Sequence, residues 1–333
     1  MLNKQNFQPE ENVNLWNHWD FGLTFPRLPY LYAMLSLQQY GIIENLELIA
    51  RQVVEGFIIG LHKSPFHGFS VEFAEHRLYN PGDNLKHVDW KVYGRSDKMF
   101  IKRFEEETNL RCCLAIDTSS SMLFPEKGTN KLQFSCVAAA AICELLKRQL
   151  DAFSLALFDE SLYELTPAHS GQVHFRRMIS RLEQLLRHSL QQKHTNTPEA
   201  LHQLAERLHR RSLVMIFSDM PDQAGQAEEL FAALQHLRYN KHEVILFHVG
   251  EAAQEWEFAF ENRPYEFVDM ESGESLKLNP VDIMDVYREK YHEYRQQLED
   301  QCHKYHIDLV PCDIREPVDQ VLYRYLLKRN KMM

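Results

Sequence analysis

Residues 112–122 read CCLAIDTSSSM, a short apolar run that ends in an aspartate and a string of hydroxyl side chains. Runs of four to eight apolar residues bounded by polar residues are typical of strands that are buried on both faces of a sheet. Five such runs predict a buried sheet, and Leu162–Leu165 is expected to add a short edge strand through a hairpin. The five runs are Cys112–Ile116, Phe153–Phe158, Leu213–Phe217, Val244–Val249 and Ile307–Val310.

Longer segments with apolar residues at helical spacing separate these runs. They are Lys131–Leu150, His174–Leu190, Pro198–Arg210, Ala224–Leu237 and Val281–Tyr305. Thr197 is expected to cap its helix, with Pro198 at the first helical position. The alternation of strands and helices predicts an α/β fold with a doubly wound, mostly parallel sheet of the Rossmann type, covered by helices on both faces.

Two regions interrupt this alternation. Residues 44–110 contain a helical pattern from Glu44 to Leu61 and strand-like runs at Phe69–Phe73 and Met99–Phe104, which predicts a smaller, mixed and β-rich unit packed on the main domain. Trp256–Leu278 alternates and turns at residues 271–274, which predicts an inserted β-hairpin. The predicted division is an extension over 1–43, the mixed unit over 44–110 and the main domain over 111–327.

The amino-acid composition argues against nucleic acid and membrane lipid as partners. The 333-residue chain has a formal net charge of -10 and scattered Lys and Arg residues, so binding to nucleic acid or anionic lipid is not expected. No apolar stretch is long enough to span a bilayer and no secretory signal opens the chain, so we expect a cytoplasmic protein. The six cysteines include no Cys-x-x-Cys pair and are expected to be buried thiols.

Polar side chains with metal-ligand chemistry follow the first apolar run. Asp117, Ser119 and Ser121 alternate in a tight loop, at the strand end where open α/β sheets bind their ligands. One carboxylate and two hydroxyl groups are hard oxygen donors, which suit Mg²⁺ or Mn²⁺ better than Zn²⁺ or Cu²⁺. The motif by itself is also compatible with ordinary helix capping.

A second acid follows the Leu213 run. Asp219 ends that strand, and either Thr195 or Thr197 opens the helix that precedes it. If the Cys112 and Leu213 strands are neighbours where the strand order reverses, Asp117 and Asp219 face each other across the crevice.

In order and context, Asp117, Ser119, Ser121, Thr195 and Asp219 resemble the metal-ion-dependent adhesion site of von Willebrand factor A domains. The family pattern favours Thr195 as the fourth residue and leaves Thr197 as the helix cap. The resemblance implies that these residues hold Mg²⁺ or Mn²⁺ and leave a coordination position open for an Asp or Glu of a partner protein.

Motifs upstream of these residues and in the predicted hairpin resemble the bacterial domain-of-unknown-function family fifty-eight, and the similarity covers about Glu44 to Leu327. This resemblance implies a von Willebrand factor A-like protein that works with a MoxR-type AAA+ ATPase or with its substrate. The matching motifs are Gly68-Phe69-Ser70-Val71-Glu72-Phe73, Arg77-Leu78-Tyr79, Pro81-Gly82-Asp83, Val88-Asp89-Trp90, Gly94-Arg95, Phe104-Glu105-Glu106-Glu107 and Phe267-Val268-Asp269-Met270-Glu271-Ser272-Gly273.

The sequence therefore predicts a metal-dependent protein-binding module, adaptor-like or chaperone-like, rather than an enzyme. The alternative is a metal-dependent hydrolase or phosphatase that uses the same strand-end site. A phosphatase with an aspartyl-phosphate intermediate needs a second acid where this chain has Ser119. No Walker loop and no Gly-x-Ser-x-Gly elbow is present. A fold of this type with a vacant site is a third alternative.

Overall fold

The computed structural model describes residues 46–58, 73–78, 90–96, 98–104, 110–187, 196–220, 227–271 and 273–332. From Arg111 to Asp313, its strands and long helices follow each other in the order that the sequence pattern predicts. In chain order the elements are α1 (Leu46–Ile58), β1 (Phe73–Leu78), α2 (Trp90–Ser96), β2 (Phe100–Phe104), β3 (Arg111–Asp117), a 3₁₀ helix (Ser120–Leu123), α3 (Lys131–Arg148), β4 (Ala152–Phe158), β5 (Leu162–Leu165), α4 (Gln172–Arg187), α5 (Thr197–Arg207), β6 (Leu213–Ser218), α6 (Ala227–Tyr239), β7 (Glu243–Gly250), a π-helical turn (Ala252–Trp256), β8 (Tyr265–Val268), β9 (Ser275–Leu278), α7 (Pro280–Lys304), β10 (Asp308–Asp313) and α8 (Val318–Met332).

Six strands form the central sheet in the order β10-β7-β6-β3-β4-β5. The β10–β7, β7–β6, β6–β3 and β3–β4 pairs are parallel, and the edge strand β5 is antiparallel to β4. The chain builds β3, β4 and β5 toward one edge and then β6, β7 and β10 toward the other, so the strand order reverses between β3 and β6. This is the predicted doubly wound, mostly parallel sheet of the Rossmann type.

Apolar residues cover both faces of this sheet. Successive side chains of a strand point to opposite faces, so Leu114 and Ile116 of β3 enter one core while Cys113 and Ala115 enter the other. Helices α1, α3, α4 and α8 cover the first face, and α5, α6 and α7 cover the second. All six cysteines are buried and unbridged, as predicted.

The structure adjusts the predicted elements in two places and confirms them in a third. The strand predicted at Phe69–Phe73 is found at Phe73–Leu78, where its pairing with β2 decides its position, and residues 69–72 lie outside the described part. Helices α2 and α8 were not predicted, although α8 buries Val321, Leu322 and Leu326 in the first core. The inserted hairpin is confirmed as β8 and β9, which pair antiparallel inside the predicted range.

Helix α1 belongs to the same core as the main sheet. Its residues Leu46, Ile49, Ala50 and Val54 are buried in the first core, which they share with α3. The helical pattern predicted from Glu44 to Leu61 is therefore confirmed over the described helix, while the predicted domain boundaries stay predictions. No helix within the described ranges is long and apolar enough to cross a membrane.

We predict that Leu46→Ala lowers the free energy of unfolding by about 2–5 kcal/mol, because it leaves a cavity between α1 and the core. Leu46 is 0% exposed. Leu48→Ala is the matched control, since it makes the same chemical change two residues away at a position that is 52% exposed. It should change stability by less than about 0.5 kcal/mol. Urea unfolding measures both, and equal effects would show that α1 does not pack as described.

Candidate metal centre

The carboxyl ends of β3 and β6 lie side by side where the strand order reverses. Ile116 pairs with Phe217 in parallel register, which brings Asp117 next to the end of β6. The Ser218 hydroxyl donates a 2.7 Å hydrogen bond to Oδ2 of Asp117 and joins the two strand ends. The predicted adjacency of the two strands is confirmed, and it creates the crevice in which open α/β sheets bind ligands.

The loop after Asp117 gathers two hydroxyl groups beside the carboxylate. Thr118 extends the β3–β4 pairing by one residue, since its backbone N–H donates to the Phe158 carbonyl at 2.8 Å. The chain then turns, and the Ser119 N–H donates to Oδ1 of Asp117 at 3.0 Å. The hydroxyl oxygens of Ser119 and Ser121 lie 3.0 Å apart. The structure therefore brings the three polar residues of the predicted motif together.

Asp219 contributes a carboxylate that is only half satisfied. Its Oδ2 accepts a 2.7 Å hydrogen bond from Nζ of Lys131. Its Oδ1 is buried and has no hydrogen-bond partner. A buried carboxylate oxygen without a partner costs free energy, and a bound cation would remove that cost.

The turn that carries Asp219 is fixed from three sides. Met220 adopts φ 44°, a left-handed conformation that is unfavourable for a bulky side chain. Its N–H donates to the Ser218 hydroxyl at 3.0 Å, and its carbonyl accepts a 2.5 Å hydrogen bond from the Tyr294 hydroxyl. Nε2 of His248 lies 3.0 Å from the Asp219 carbonyl oxygen. Burial lowers the pKa of His248 to about 4, so the ring is neutral and donates this hydrogen bond.

Lys131 places a buried ammonium group beside the site. Asn130 begins α3 with a capping box, because its side chain accepts from the Gln133 N–H and its own N–H donates to the Gln133 side chain. This cap fixes Lys131 as the first helical residue. Its Nζ bridges Asp219 and Oε1 of Glu255, at 2.7 Å and 2.6 Å, and its side chain is 1% exposed.

Burial and the charges of this network shift the pKa values of Asp117 and Lys131. Burial raises the pKa of Asp117 to about 7, and repulsion from Asp219 adds to that rise, against the hydrogen bonds from Ser119 and Ser218. Burial alone would lower the pKa of Lys131, but the carboxylates of Asp219 and Glu255 outweigh it and raise that pKa. Lys131 is thus charged, while Asp117 carries a carboxyl group that burial makes unfavourable to ionise.

The threonines are placed differently from the prediction. Thr195 lies outside the described residues. The prediction that Thr197 caps α5 is wrong, because the helix begins at Thr197 and its cap is Asn196, whose side chain accepts from the Glu199 N–H at 3.3 Å. The Thr197 hydroxyl is instead buried without a hydrogen-bond partner. The Asn196 N–H donates to the carbonyl of Asp159, just beyond β4, so α5 begins at the same edge of the sheet.

The donor groups of this site are not those of a centre built on His and Cys. In the described part of the chain, no three His, Cys, Asp or Glu side chains are grouped as metal ligands. The arrangement at the β3 and β6 ends depends on the hydroxyl groups of Ser119 and Ser121 in addition to its acids. Sequence reasoning missed the residues that surround the predicted ones, which are Ser218, Lys131, His248 and Glu255.

Comparison with known proteins identifies relatives without a described activity. Residues 75–301 match the family described as "Protein of unknown function DUF58". An uncharacterised protein of Mycobacterium tuberculosis is 28% identical over 137 residues, which are 41% of this chain and 43% of that protein, so the match spans less than half of the relative.

Two solved structures resemble parts of the fold. An aerotolerance-related membrane protein from Bacteroides fragilis has a TM-score of 0.42 and 13% identity, and the match covers 67% of this chain and all of that one. The SpRpn10 VWA domain has a TM-score of 0.36 and 10% identity, with 65% and 94% of the two chains covered.

We predict that Asp117→Asn stabilises the metal-free protein at pH 8. Folding raises the pKa of Asp117 from 3.8 to about 7, so its ionisation costs stability as the pH rises through that window. Asparagine stays neutral, and its amide can accept from the Ser119 N–H and donate to the Ser218 hydroxyl. The gain in the free energy of unfolding should reach up to about 4 kcal/mol at pH 8 and be smaller at pH 5.

Thermal unfolding in the presence of a chelator measures this gain at both pH values. Asp285→Asn is the control, because Asp285 is exposed on α7 and the same change there should have little effect at either pH. A loss of stability in Asp117→Asn at pH 8 would contradict the electrostatic description of the site.

Proposed function

The chain belongs to the DUF58 family, and on that premise we propose that it is a metal-dependent protein-binding module. A divalent cation at the ends of β3 and β6 would engage a carboxylate of a partner protein. The observation that carries the proposal is Oδ1 of Asp219, a buried carboxylate oxygen without a partner beside a second buried carboxylate, that of Asp117. Two buried acids at one point favour a cation between them.

The donor atoms fit magnesium or manganese. Ser119 and Ser121 offer neutral hydroxyl oxygens that lie 3.0 Å apart, and Asp219 offers its unpartnered Oδ1. Each oxygen of Asp117 already accepts one hydrogen bond, yet a carboxylate oxygen has a second lone pair for a metal or its bound water. Such all-oxygen sets are the ones that Mg²⁺ and Mn²⁺ prefer.

A threonine would complete the set. Thr195 stays the predicted ligand by its resemblance to the adhesion-site pattern. Thr197 is the second candidate, because its buried hydroxyl has no partner and α5 begins at the same edge of the sheet. Either hydroxyl adds a neutral donor, so the charge of the site does not depend on which one binds.

The charge balance of the site also supports a divalent cation. When ionised, Asp117, Asp219 and Glu255 carry three negative charges, and Lys131 carries one positive charge. The remaining two negative charges match one divalent ion. A bound ion of this kind supplies an open coordination position, and a partner carboxylate that fills it gains a charge-assisted contact that a neutral side chain cannot make.

The polar groups around the site serve to position it. The Thr118 hydroxyl donates to the Phe158 carbonyl, and the neutral His248 ring is held by the Asp219 backbone. A hydrolase would need a nucleophile and a base that are free to act on a substrate. These two groups are committed to the scaffold, which favours binding over catalysis.

The partner and the compartment extend the proposal beyond the site. By family resemblance, a MoxR-type AAA+ ATPase or a substrate of that ATPase is the proposed source of the carboxylate. The proposed location is the cytoplasm, as expected from the sequence. The net charge of -10 opposes the approach of an acidic partner, so a bound cation would supply a local attraction for the partner's carboxylate.

We predict that the purified protein binds Mg²⁺ or Mn²⁺ and that Asp117→Ala weakens this binding at least about tenfold, because it removes a charged ligand. Titration calorimetry compares the two with Asp285→Ala, which removes an exposed acid and should bind as the wild type does. The pair Thr195→Val and Thr197→Val identifies the threonine ligand, since each removes one hydroxyl and keeps the side-chain shape. Equal heats for wild type and Asp117→Ala would refute the assignment.

Partner binding is predicted to require the charge of Asp219. Asp219→Asn keeps the shape of the side chain and removes one charge, so affinity for the purified MoxR-type ATPase of the same cell should fall at least about tenfold. Surface plasmon resonance in constant magnesium compares this variant with Asp285→Asn. Constant magnesium matters because the ATPase needs the ion for its own nucleotide. Unchanged affinity in Asp219→Asn would mean that recognition does not pass through the site.

A further inference from the structure

We infer that Lys131 is a resident cation of this site, and that its ammonium group competes with a divalent ion for the Asp219 carboxylate and so keeps metal binding weak and reversible. The inference rests on the proposed metal-binding function and assigns the residue that regulates it. Its basis is the bridge from Nζ of Lys131 to Oδ2 of Asp219 at 2.7 Å and to Oε1 of Glu255 at 2.6 Å.

The position of Lys131 is unfavourable for a lysine in two independent ways. Its side chain is 1% exposed, so the ammonium loses its hydration. It also stands in the first turn of α3, where the positive end of the helix dipole disfavours a cation. A methionine would fill the same space without either cost. The lysine is therefore kept in place by the two carboxylates it bridges, and its charge is the property that the site uses.

The bridge divides Asp219 between two roles. Oδ2 is held by the ammonium, and the unpartnered Oδ1 remains for an incoming ion. An ion on Oδ1 then lies within a few ångströms of the ammonium on the same carboxylate. Like charges at that separation in a partly desolvated site repel strongly, so each cation weakens the hold of the other on Asp219.

Glu255 is a second carboxylate partner for the ammonium. The ammonium keeps this contact when an ion binds to Asp219. Oε2 of Glu255 accepts a 2.7 Å hydrogen bond from the Glu251 N–H, which anchors it on the π-helical turn. That turn is packed tightly, because a Cβ at Gly250 would lie 2.4 Å from Nε1 of Trp256. The ammonium thus has a fixed alternative partner at 2.6 Å and need not leave the site. In the ion-free protein it neutralises Asp219 and allows the empty site to fold.

The test compares Mn²⁺ binding by calorimetry in wild type and Lys131→Met, which keeps length and apolar character and removes the charge. The dissociation constant for Mn²⁺ should fall at least about tenfold in Lys131→Met, because the competing charge is gone. Lys127→Met is the matched control: Lys127 lies four residues earlier in the same connection and is exposed, so its loss should leave the constant unchanged.

A second pair of variants keeps the test decisive if Lys131→Met does not fold. Glu255→Gln and the double variant Lys131→Met/Glu255→Gln differ only in the ammonium, and the double variant has the same net charge as wild type. The double variant should bind Mn²⁺ at least about tenfold more tightly than Glu255→Gln, for the same electrostatic reason. Near-ultraviolet circular dichroism establishes which variants are folded before titration.

The outcomes separate this inference from the proposed function. Tighter binding without Lys131, in either pair, supports the resident cation. Measurable binding by wild type together with equal or weaker binding without Lys131 overturns the inference and leaves the metal site standing, with Lys131 as a structural ion pair. If neither wild type nor any folded variant binds Mn²⁺, the proposed metal site falls and the inference falls with it.

Discussion

The burial of two carboxylates at the point where the sheet reverses its strand order is the constraint on which the rest of this structure depends. Asp117 is 0% exposed at the end of β3, and the side chain of Asp219 is 9% exposed beyond the end of β6. Because these strands pair in parallel register, their carboxyl ends lie side by side, and the two acids lie there with them. Their repulsion and desolvation have to be offset by hydrogen bonds, by a cation, or by protonation.

Neighbouring residues offset part of the repulsion and desolvation of the two acids. Ser218 and the Ser119 N–H each donate to Asp117, and His248 fixes the backbone of Asp219. Lys131 then supplies one positive charge from the start of α3. One ammonium does not balance the acids that converge here, and one oxygen of Asp219 keeps no partner. These hydrogen bonds and one ammonium leave a buried carboxylate oxygen unsatisfied, which is the physical reason to treat this point as a binding site.

Much of this architecture was predictable, because buried strands appear in the sequence as short apolar runs and the helices between them indicate parallel pairing. The apolar run before Asp117 and the later run before Asp219 predicted buried strands of a doubly wound sheet. The structure pairs these two strands, and their adjacency brings the acids together. Local capping was predicted less well. Asn196 caps α5, although Thr197 stands directly before Pro198. Both residue types favour the cap position, so the sequence did not decide which of the two side chains accepts a hydrogen bond from the Glu199 N–H.

The supporting residues could not be found from sequence because they come from distant parts of the chain. Lys131 contacts Asp219 across 88 positions and Glu255 across 124. Only the unusual place of a lysine in the first turn of a long apolar helix hinted at a partner. Glu255 gave no signal, since its contact with Lys131 depends on the position of the π-helical turn that follows β7. Ser218 was visible beside Asp219, but its bond to Asp117 required the strand register.

The central claim is that a divalent cation binds between the ends of β3 and β6. A crystal structure of the protein soaked in Mn²⁺, with anomalous diffraction recorded to locate manganese, tests it most directly. One anomalous peak is expected, in contact with the hydroxyl oxygens of Ser119 and Ser121 and facing Oδ1 of Asp219. A fully ordered site without a peak, with the hydroxyls of Ser119 and Ser121 still bonded to each other and Asp219 bound only to Lys131, would contradict it.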